Sequence, residues 1–349
     1  MSSVSVVTGA TGHLGNVLVR HLVEQGRSVR ALVQPRDDLT PLAGLPVELF
    51  WGDVTQEATL ELALKGADVV FHLAGLVSIT KGQRQRLWEV NVEGTRHVVE
   101  ACRRLGVRRL VHVSSVHALA EASGDRLDET AGFGGTGGDY SRSKAEASEA
   151  VLEATRRGLD AVQVLPTGVV GPWDFRLSEM GQFIARAGQG RMPIAVAGGY
   201  DWVDVRDVAQ GLVLAADHGR AGEAYLLNGE WKSTEAVLRA VAEAAQVSPP
   251  RLTVPLALLW PLALAAPVLE RLTRKRALLT TYALRQLGSK ARVDDGKARR
   301  ELGYTSRPIA TAVVDAWQFL ATHPASPVRR SVVVEPGRMA VSSIPTTPR

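Results

Sequence analysis

The chain has a single cysteine, Cys102, so no intrachain disulfide framework can hold the fold. Cys102 ends the helical pattern His97-Val98-Val99-Glu100-Ala101-Cys102 and is expected to pack as a small apolar residue. One cysteine suits a reducing compartment, and a cytoplasmic location is expected. There is no basic leader after Met1, and the strand-like run Val4-Ser5-Val6-Val7 follows almost at once, so no signal peptide is expected. The body also lacks an excess charge of one sign. Of the formal net charge of +5, three units lie beyond Pro324, where four arginines face one glutamate. The rest is nearly neutral, which argues against a nucleic-acid footprint. A spanning helix needs about 20 apolar residues. The nearest run, Val254 to Leu269, is shorter and carries Pro255, Pro261 and Pro267, which should break it. It reads as a buried lid or packed helix. With Arg271, Arg274, Lys275 and Arg276 behind it, residues 254–276 could instead touch a membrane surface.

What is present is ordinary globular material. Hydrophobic residues make up 45% and charged residues 22% of 349 positions, enough for one large or two smaller domains. Short β-branched runs alternate with helical patterns: Ser5-Val6-Val7, a helix from about His13 to Gln25, then Val29–Val33, Val47–Phe50, Val69–Leu73, Leu110–Val113 and Ala161–Leu165. Strand–helix alternation implies parallel strands with right-handed crossovers, hence a doubly wound α/β sheet. After Pro166 the pattern changes to loops rich in Gly, Pro and Trp, followed by helices. Residues 1–165, with 203–228 returning, are expected to form one domain. Residues 166–202 and 229–323 are expected to form a smaller, mostly helical substrate domain, and 324–349 a disordered tail.

The first strand runs into Thr8-Gly9-Ala10-Thr11-Gly12-His13-Leu14-Gly15. A strand ending in such a loop and opening into a helix does three things. Gly9 permits a tight turn, Gly12 lets the backbone approach a pyrophosphate, and Gly15 lets the helix pack close to the sheet. The helix N-terminus then offers N–H groups to the phosphate. The turn therefore predicts a dinucleotide cofactor. An acidic residue at the end of the second strand would select NAD. Here that strand ends Leu32-Val33-Gln34-Pro35-Arg36, and Asp37 and Asp38 come later. Arg36 could meet a 2′-phosphate, with Arg30 an outside candidate, so NADP is expected in modest preference to NAD. Asp53, in Gly52-Asp53-Val54, could accept from the adenine amine. Leu73, Ala74 and Gly75 close the fourth strand, where the small residues would let backbone lie against a cofactor.

Gly138-Asp139-Tyr140-Ser141-Arg142-Ser143-Lys144 places a tyrosine and a lysine on one helix face. An ammonium nearby should lower the phenol from its usual value near 10. A phenol so tuned can exchange a proton with a substrate oxygen. Upstream, the strand Leu110-Val111-His112-Val113 ends in Ser114-Ser115, at the sheet edge where ligands bind in open α/β folds.

With these residues the chain resembles the extended short-chain dehydrogenase/reductase family. The matching stretches are TGATGHLG (8–15), GDV (52–54), HLAG (72–75), NVEGT (91–95), VSS (113–115), YSRSK (140–144), LPTGVVGP (165–172) and VDVRDVA (203–209). The resemblance covers nearly everything to about residue 320. It implies a Rossmann domain binding NAD(P), with Ser115, Tyr140 and Lys144 as the catalytic triad. Thr11, His13, Leu14, Val54 and Val113 would line the cofactor, Pro166 and Val169 would flank the nicotinamide, and Tyr140 and Lys144 would also touch it. The family's YG dipeptide is Leu119-Ala120 here, which leaves Ser114 open as the catalytic hydroxyl. Asn91 is expected to order structure. The carboxyl half is most similar in style to bacterial dihydroflavonol 4-reductase-like and 3β-hydroxysteroid dehydrogenase-like proteins.

Three functions fit. The first is an oxidoreductase interconverting a ketone and a secondary alcohol on a small apolar substrate, a choice that Trp173, Phe175 and Trp202 favour. The second is a nucleotide-sugar epimerase or dehydratase, with Arg176, Arg186 and Arg191 as candidate diphosphate contacts. The third is a non-catalytic NADP-binding sensor or assembly protein. A small-molecule substrate is the expected partner, a homodimer is compatible with the sequence, and no metal is expected.

Overall fold

The computed structural model describes residues 3–77, 82–121, 124–273, 281–289, 291–323 and 339–340. Seven parallel strands form the central sheet: β1 (Val4–Thr8), β2 (Ser28–Val33), β3 (Glu48–Trp51), β4 (Val69–His72), β5 (Arg109–Val113), β6 (Ala161–Pro166) and β7 (Ala224–Leu227). Their spatial order is β3-β2-β1-β4-β5-β6-β7. The order reverses between β1 and β4, and that switch point is where open α/β sheets bind ligands, at the carboxyl ends of the strands.

The strands read as near-continuous apolar runs because both faces are covered. Side chains alternate with a period of two, so Val6 enters one core layer and its neighbour Val7 the other. On one face lie α1 (His13–Glu24) and a later helix, Val205–His218, through Leu18, Leu22, Val208 and Leu212. On the other face are α2 (Gly94–Leu105) and α3 (Asp139–Arg156), through Val98, Cys102 and Val151. Burial pushes the Cys102 thiol up, so it is inert at neutral pH. Gly26 closes α1 with φ +72°, a conformation that favours glycine.

Beyond Pro166, Gly168–Val170, Gly199–Asp204 and Glu230–Ser233 make a separate three-stranded sheet. It packs with α4 (Glu179–Gly188), α6 (Thr234–Ala244) and α8 (Ile309–Thr322) in a core of its own, numbering Val205–His218 as α5 and Leu256–Thr273 as α7. Ala298, Leu302 and Tyr304 lie in sequence among the second unit's residues but pack into the first core.

Two expectations are corrected here. Pro261 and Pro267 do not break the apolar run: α7 continues through both. Its described outward residues, Leu258, Leu262 and Leu264, are exposed. Among the described residues no helix is long and apolar enough to cross a membrane. Of the three aromatics expected near a substrate, Trp202 is taken up by the second unit's core, and Trp173 and Phe175 are half-buried against it. Trp202 is fully buried between Phe183 and Tyr200, Phe175 meets Phe319 edge-on at 5.0 Å, and Trp173 lies under the Arg20 guanidinium. Most of the 324–349 tail lies outside the described residues. Within it, Met339–Ala340 pairs antiparallel with Leu49 and Glu48.

Candidate active site

The glycine turn sits at the switch point. Thr8, the last residue of β1, accepts from the Leu73 and Ala74 N–H groups through its hydroxyl, tying the loop after β4 to the loop after β1. The two loops are so close that a Cβ on Gly9 would stand 2.7 Å from the Ala74 nitrogen; φ at Gly9 is also +69°. Gly15 behaves differently from expectation. Its missing Cβ would stand 2.1 Å from the Gly9 carbonyl oxygen, so it packs α1 against the turn itself rather than against the sheet. Gly12 caps α1 in extended conformation without a side-chain cap. Among the described residues, the only contact for a Cβ there is the Gly9 oxygen at 3.2 Å. Open space above Gly12, beside uncapped helix N–H groups, is a cradle that fits a pyrophosphate.

The adenosine end of this cradle was incompletely legible. Arg36 is exposed at the end of β2. Arg30 points elsewhere, bonded to the Ala63 and Lys65 carbonyls. The absence of a carboxylate at the strand end holds in sequence but not in space. Asp37 folds back and accepts the Gln34 N–H at 3.1 Å and the Thr11 hydroxyl at 3.0 Å. Arg176, expected to serve a substrate diphosphate, instead pairs with Asp37 at 2.7 Å and donates to Thr11 Oγ1 at 2.7 Å. Asp53 accepts from Gln34 Nε2 and from Thr55, which places it beside the β2 end. Val54 packs in the core and its carbonyl accepts from His97, so its side chain offers nothing to a ligand. His13 bonds the Pro172 carbonyl, and Leu14 is half-buried against the first core.

The proton-handling residues meet at the ends of β5 and α3. Ser114 and Ser115 point apart, as neighbours in extended chain must. The Ser114 hydroxyl is buried against Ser148 of α3 at 2.6 Å. Ser115 opens a short turn, where its hydroxyl accepts the backbone N–H of His117 at 3.2 Å. The His117 ring stands edge-on to Tyr140 at 6.3 Å. Burial depresses His117 to about 4, so it is neutral at pH 7.

The tuning of Tyr140 differs from expectation. Burial pushes its phenol up, the Ser115 hydroxyl pulls it down, and Glu179 pushes it up again. Lys144 does not lower it. Its ammonium instead donates to the Val113 carbonyl at 2.7 Å, and burial lowers it to about 8. A Cβ on Gly75 would stand 3.7 Å from Lys144 Nζ, which places the ammonium between the ends of β4 and β5. Asn91 has the ordering role expected of it: it bonds both polar groups of the Leu76 backbone and the Ser143 hydroxyl. Pro166 ends β6 beside β5, and Val169 pairs with Val203 in the smaller sheet.

Sequence reading placed Asp37 beyond the strand end and Arg176 on a substrate diphosphate, and it missed His117 at this site. Only Asp37 carried a local signal, an Asp three residues beyond the strand-end Gln34, in a position to turn back on its N–H.

A nucleotide cradle at a parallel-sheet switch point, followed by a serine, a tyrosine and a lysine at the same strand ends, defines the class. Residues 5–227 match the model of the NAD dependent epimerase/dehydratase family, and the chain belongs to that family. It is similar to sterol demethylase protein B of Methylococcus capsulatus, 40% identical over 318 residues, covering 89% of this chain and 96% of the relative. It is also similar to 4-hydroxy-2-methyl-3-oxo-4-farnesyl-3,4-dihydroquinoline-1-oxide ketoreductase of Stigmatella aurantiaca, 31% identical over 321 residues, covering 89% and 94%. Among solved structures, that of gox2253 superposes with a TM-score of 0.82 at 36% identity, covering 93% of this chain and 99% of that one. Family and relatives make the chain an enzyme that uses a nicotinamide cofactor.

Proposed function

We propose that the protein is an NAD(P)-dependent oxidoreductase interconverting a ketone and a secondary alcohol on a small apolar substrate. The observation that carries this reading is the convergence of Ser115, Tyr140 and Lys144 at the carboxyl end of β5: Lys144 donates to the Val113 carbonyl, the Ser115 hydroxyl accepts the backbone N–H of His117, and the His117 ring stands edge-on to Tyr140. A bound nicotinamide would supply or accept the hydride. Gly9, Thr11, Gly12 and the N-terminus of α1 would hold its pyrophosphate. Leu73, Ala74 and Gly75 would lie along it, and Pro166 and Val169 would flank the nicotinamide.

Tyr140 would give a proton to the carbonyl oxygen in reduction and take one from the alcohol in oxidation. A phenol raised by burial keeps its proton at neutral pH, which suits the acid role. Ser115 would hydrogen-bond the same oxygen and orient it. Lys144, anchored on the Val113 carbonyl, would grip the nicotinamide ribose. Its depressed ammonium, near 8, would titrate where the enzyme works. NADP is proposed in modest preference to NAD, because Arg36 is exposed at the β2 end and the Asp37 carboxylate is already ion-paired.

An apolar substrate is favoured by the sterol and farnesyl words in the two relatives' names. The nucleotide-sugar alternative loses Arg176, which is committed to Asp37. The sensor alternative is disfavoured by the presence of both Tyr140 and Lys144. The deciding experiment is to identify the co-purifying cofactor by mass spectrometry and then screen ketones and secondary alcohols with it. Turnover of an apolar ketone supports the reading. Inertness towards that panel, with turnover of a nucleotide sugar, refutes it.

A further inference from the structure

We propose that Asp37 and Arg176, contributed by different halves of the chain, form one charge-balanced unit that sets NADP against NAD selectivity. The inference rests on the reading of a nicotinamide cofactor in the Gly9–Gly15 turn and goes beyond it by naming the discriminating pair.

The geometry is a closed triangle. Arg176 Nη2 donates to Asp37 Oδ1 at 2.7 Å and to Thr11 Oγ1 at 2.7 Å. Thr11 Oγ1 donates in turn to Asp37 Oδ2 at 3.0 Å, and the same oxygen takes the Gln34 N–H at 3.1 Å. One corner is therefore inside the glycine turn and another is at the end of β2, the two places that flank the adenosine ribose in this fold. Arg176 keeps 46% of its side chain exposed, so its guanidinium is open to solvent and to a ligand.

The segment that carries Arg176 is fixed by contacts outside the triangle. His13 bonds the Pro172 carbonyl at 2.9 Å, Asn16 Nδ2 donates to the Trp173 carbonyl at 3.1 Å, and the Arg20 guanidinium covers the Trp173 ring. Trp173 and Leu177 both hold positive φ, 65° and 51°, which non-glycine residues adopt only when their surroundings impose it. Arg176 is thus presented to Asp37 by a built loop.

The electrostatic consequence has a definite sign. A bare carboxylate at the β2 end accepts ribose hydroxyls and repels a 2′-phosphate. Arg176 takes Asp37 Oδ1 and offsets its charge, Thr11 and the Gln34 N–H take Oδ2, and the exposed guanidinium adds attraction for phosphate. Removing the arginine therefore disfavours NADPH, and removing the aspartate favours it.

The test is the affinity of the purified full chain for NADPH and for NADH, measured by calorimetric titration, with the melting temperature of the cofactor-free protein as a folding control. Arg176→Met should weaken NADPH at least about tenfold more than NADH. Asp37→Asn should move the ratio the opposite way, and Arg176→Met with Asp37→Asn should return it towards the wild-type value, since the double variant carries neither charge. A structural staple would lower the melting temperature in each variant without opposite movements of the ratio. Equal weakening of both cofactors by Arg176→Met would make the arginine a general phosphate contact and overturn the proposal. If Arg176→Met fails to fold, Asp37→Asn decides alone, and an unmoved ratio there overturns it. Failure of the wild-type chain to bind either cofactor would instead refute the underlying cofactor reading.

Discussion

Lys144 Nζ donates to the carbonyl of Val113 at 2.7 Å, joining the helix that carries Tyr140 to the strand that leads to Ser115. That bond fixes the ammonium at the strand ends and leaves its other donors for a ligand. Its burial has a thermodynamic signature. The unfolded chain holds this proton to about 10.5, and the folded chain loses it at about 8. Between those values the unfolded state binds more protons, so stability rises with pH across that window by about 1.4 kcal/mol per unit. Lys144→Met should flatten that slope in urea titrations at pH 8 to 10 and should weaken cofactor binding. An unchanged slope would mean the ammonium is solvated.

The glycine turn predicts a contrast between two neighbours. Gly12→Val should abolish NAD(P)H binding with the fold largely retained, because the space above Gly12 is open to ligand. Gly15→Ala should cost about 1–3 kcal/mol of stability, because its Cβ has nowhere to go beside the Gly9 oxygen. Melting temperature and titration with NADPH separate the two effects. Equal stability losses in both variants would contradict the assignment.

Three histidines, His72 and His112 fully buried and His117 half-buried, should make the protein acid-labile. His72 is held at about 3, His117 at about 4 and His112 well below its ordinary value of 6.5, all mainly by burial. The unfolded chain takes up these protons as pH falls through 6.5 and the folded chain does not. Stability present above that pH is therefore lost towards pH 4, by about 1.4 kcal/mol per unit for each histidine. Both His112 ring nitrogens lack a partner among the described residues. His112→Phe should reduce the loss between pH 7 and pH 5 by roughly a third, read by urea unfolding at each pH. The same loss in the variant would show that His112 titrates normally.

The sheet was legible because parallel strands buried on both faces leave unbroken β-branched runs, as Val69–His72 and Ala161–Pro166 do. The turn was legible because Gly9 and Gly15 are forced by backbone contacts of 2.7 and 2.1 Å that any larger residue would violate. The Tyr140–Lys144 spacing gave the helix face correctly. It could not give the burial that raises the phenol or the carbonyl that captures the ammonium, since both come from β5 and the overlying chain. Asp37 hid its position by folding back on Gln34, and Arg176 meets Thr11 from 165 residues away. Trp202 misled because an aromatic in a Gly- and Pro-rich stretch reads the same whether it packs in a core or lines a pocket. Pro261 and Pro267 misled because α7 continues through both residues.

The choice between the two serines is decided by partners. Ser114 bonds Ser148 in the interior, whereas the Ser115 hydroxyl accepts the backbone N–H of His117, whose ring stands edge-on to Tyr140. Ser115→Ala should lower turnover and spare cofactor affinity, and Ser114→Ala should act mainly through stability. The reverse order in steady-state rates would place the catalytic hydroxyl one residue earlier.

The most direct measurement is single-turnover hydride transfer by Tyr140→Phe on a ketone identified with the wild-type enzyme, alongside its NAD(P)H affinity. The ring remains and only the hydroxyl is lost. The account predicts a rate reduced by at least about 10²-fold with cofactor affinity unchanged. A near-normal rate from the phenylalanine variant would contradict it.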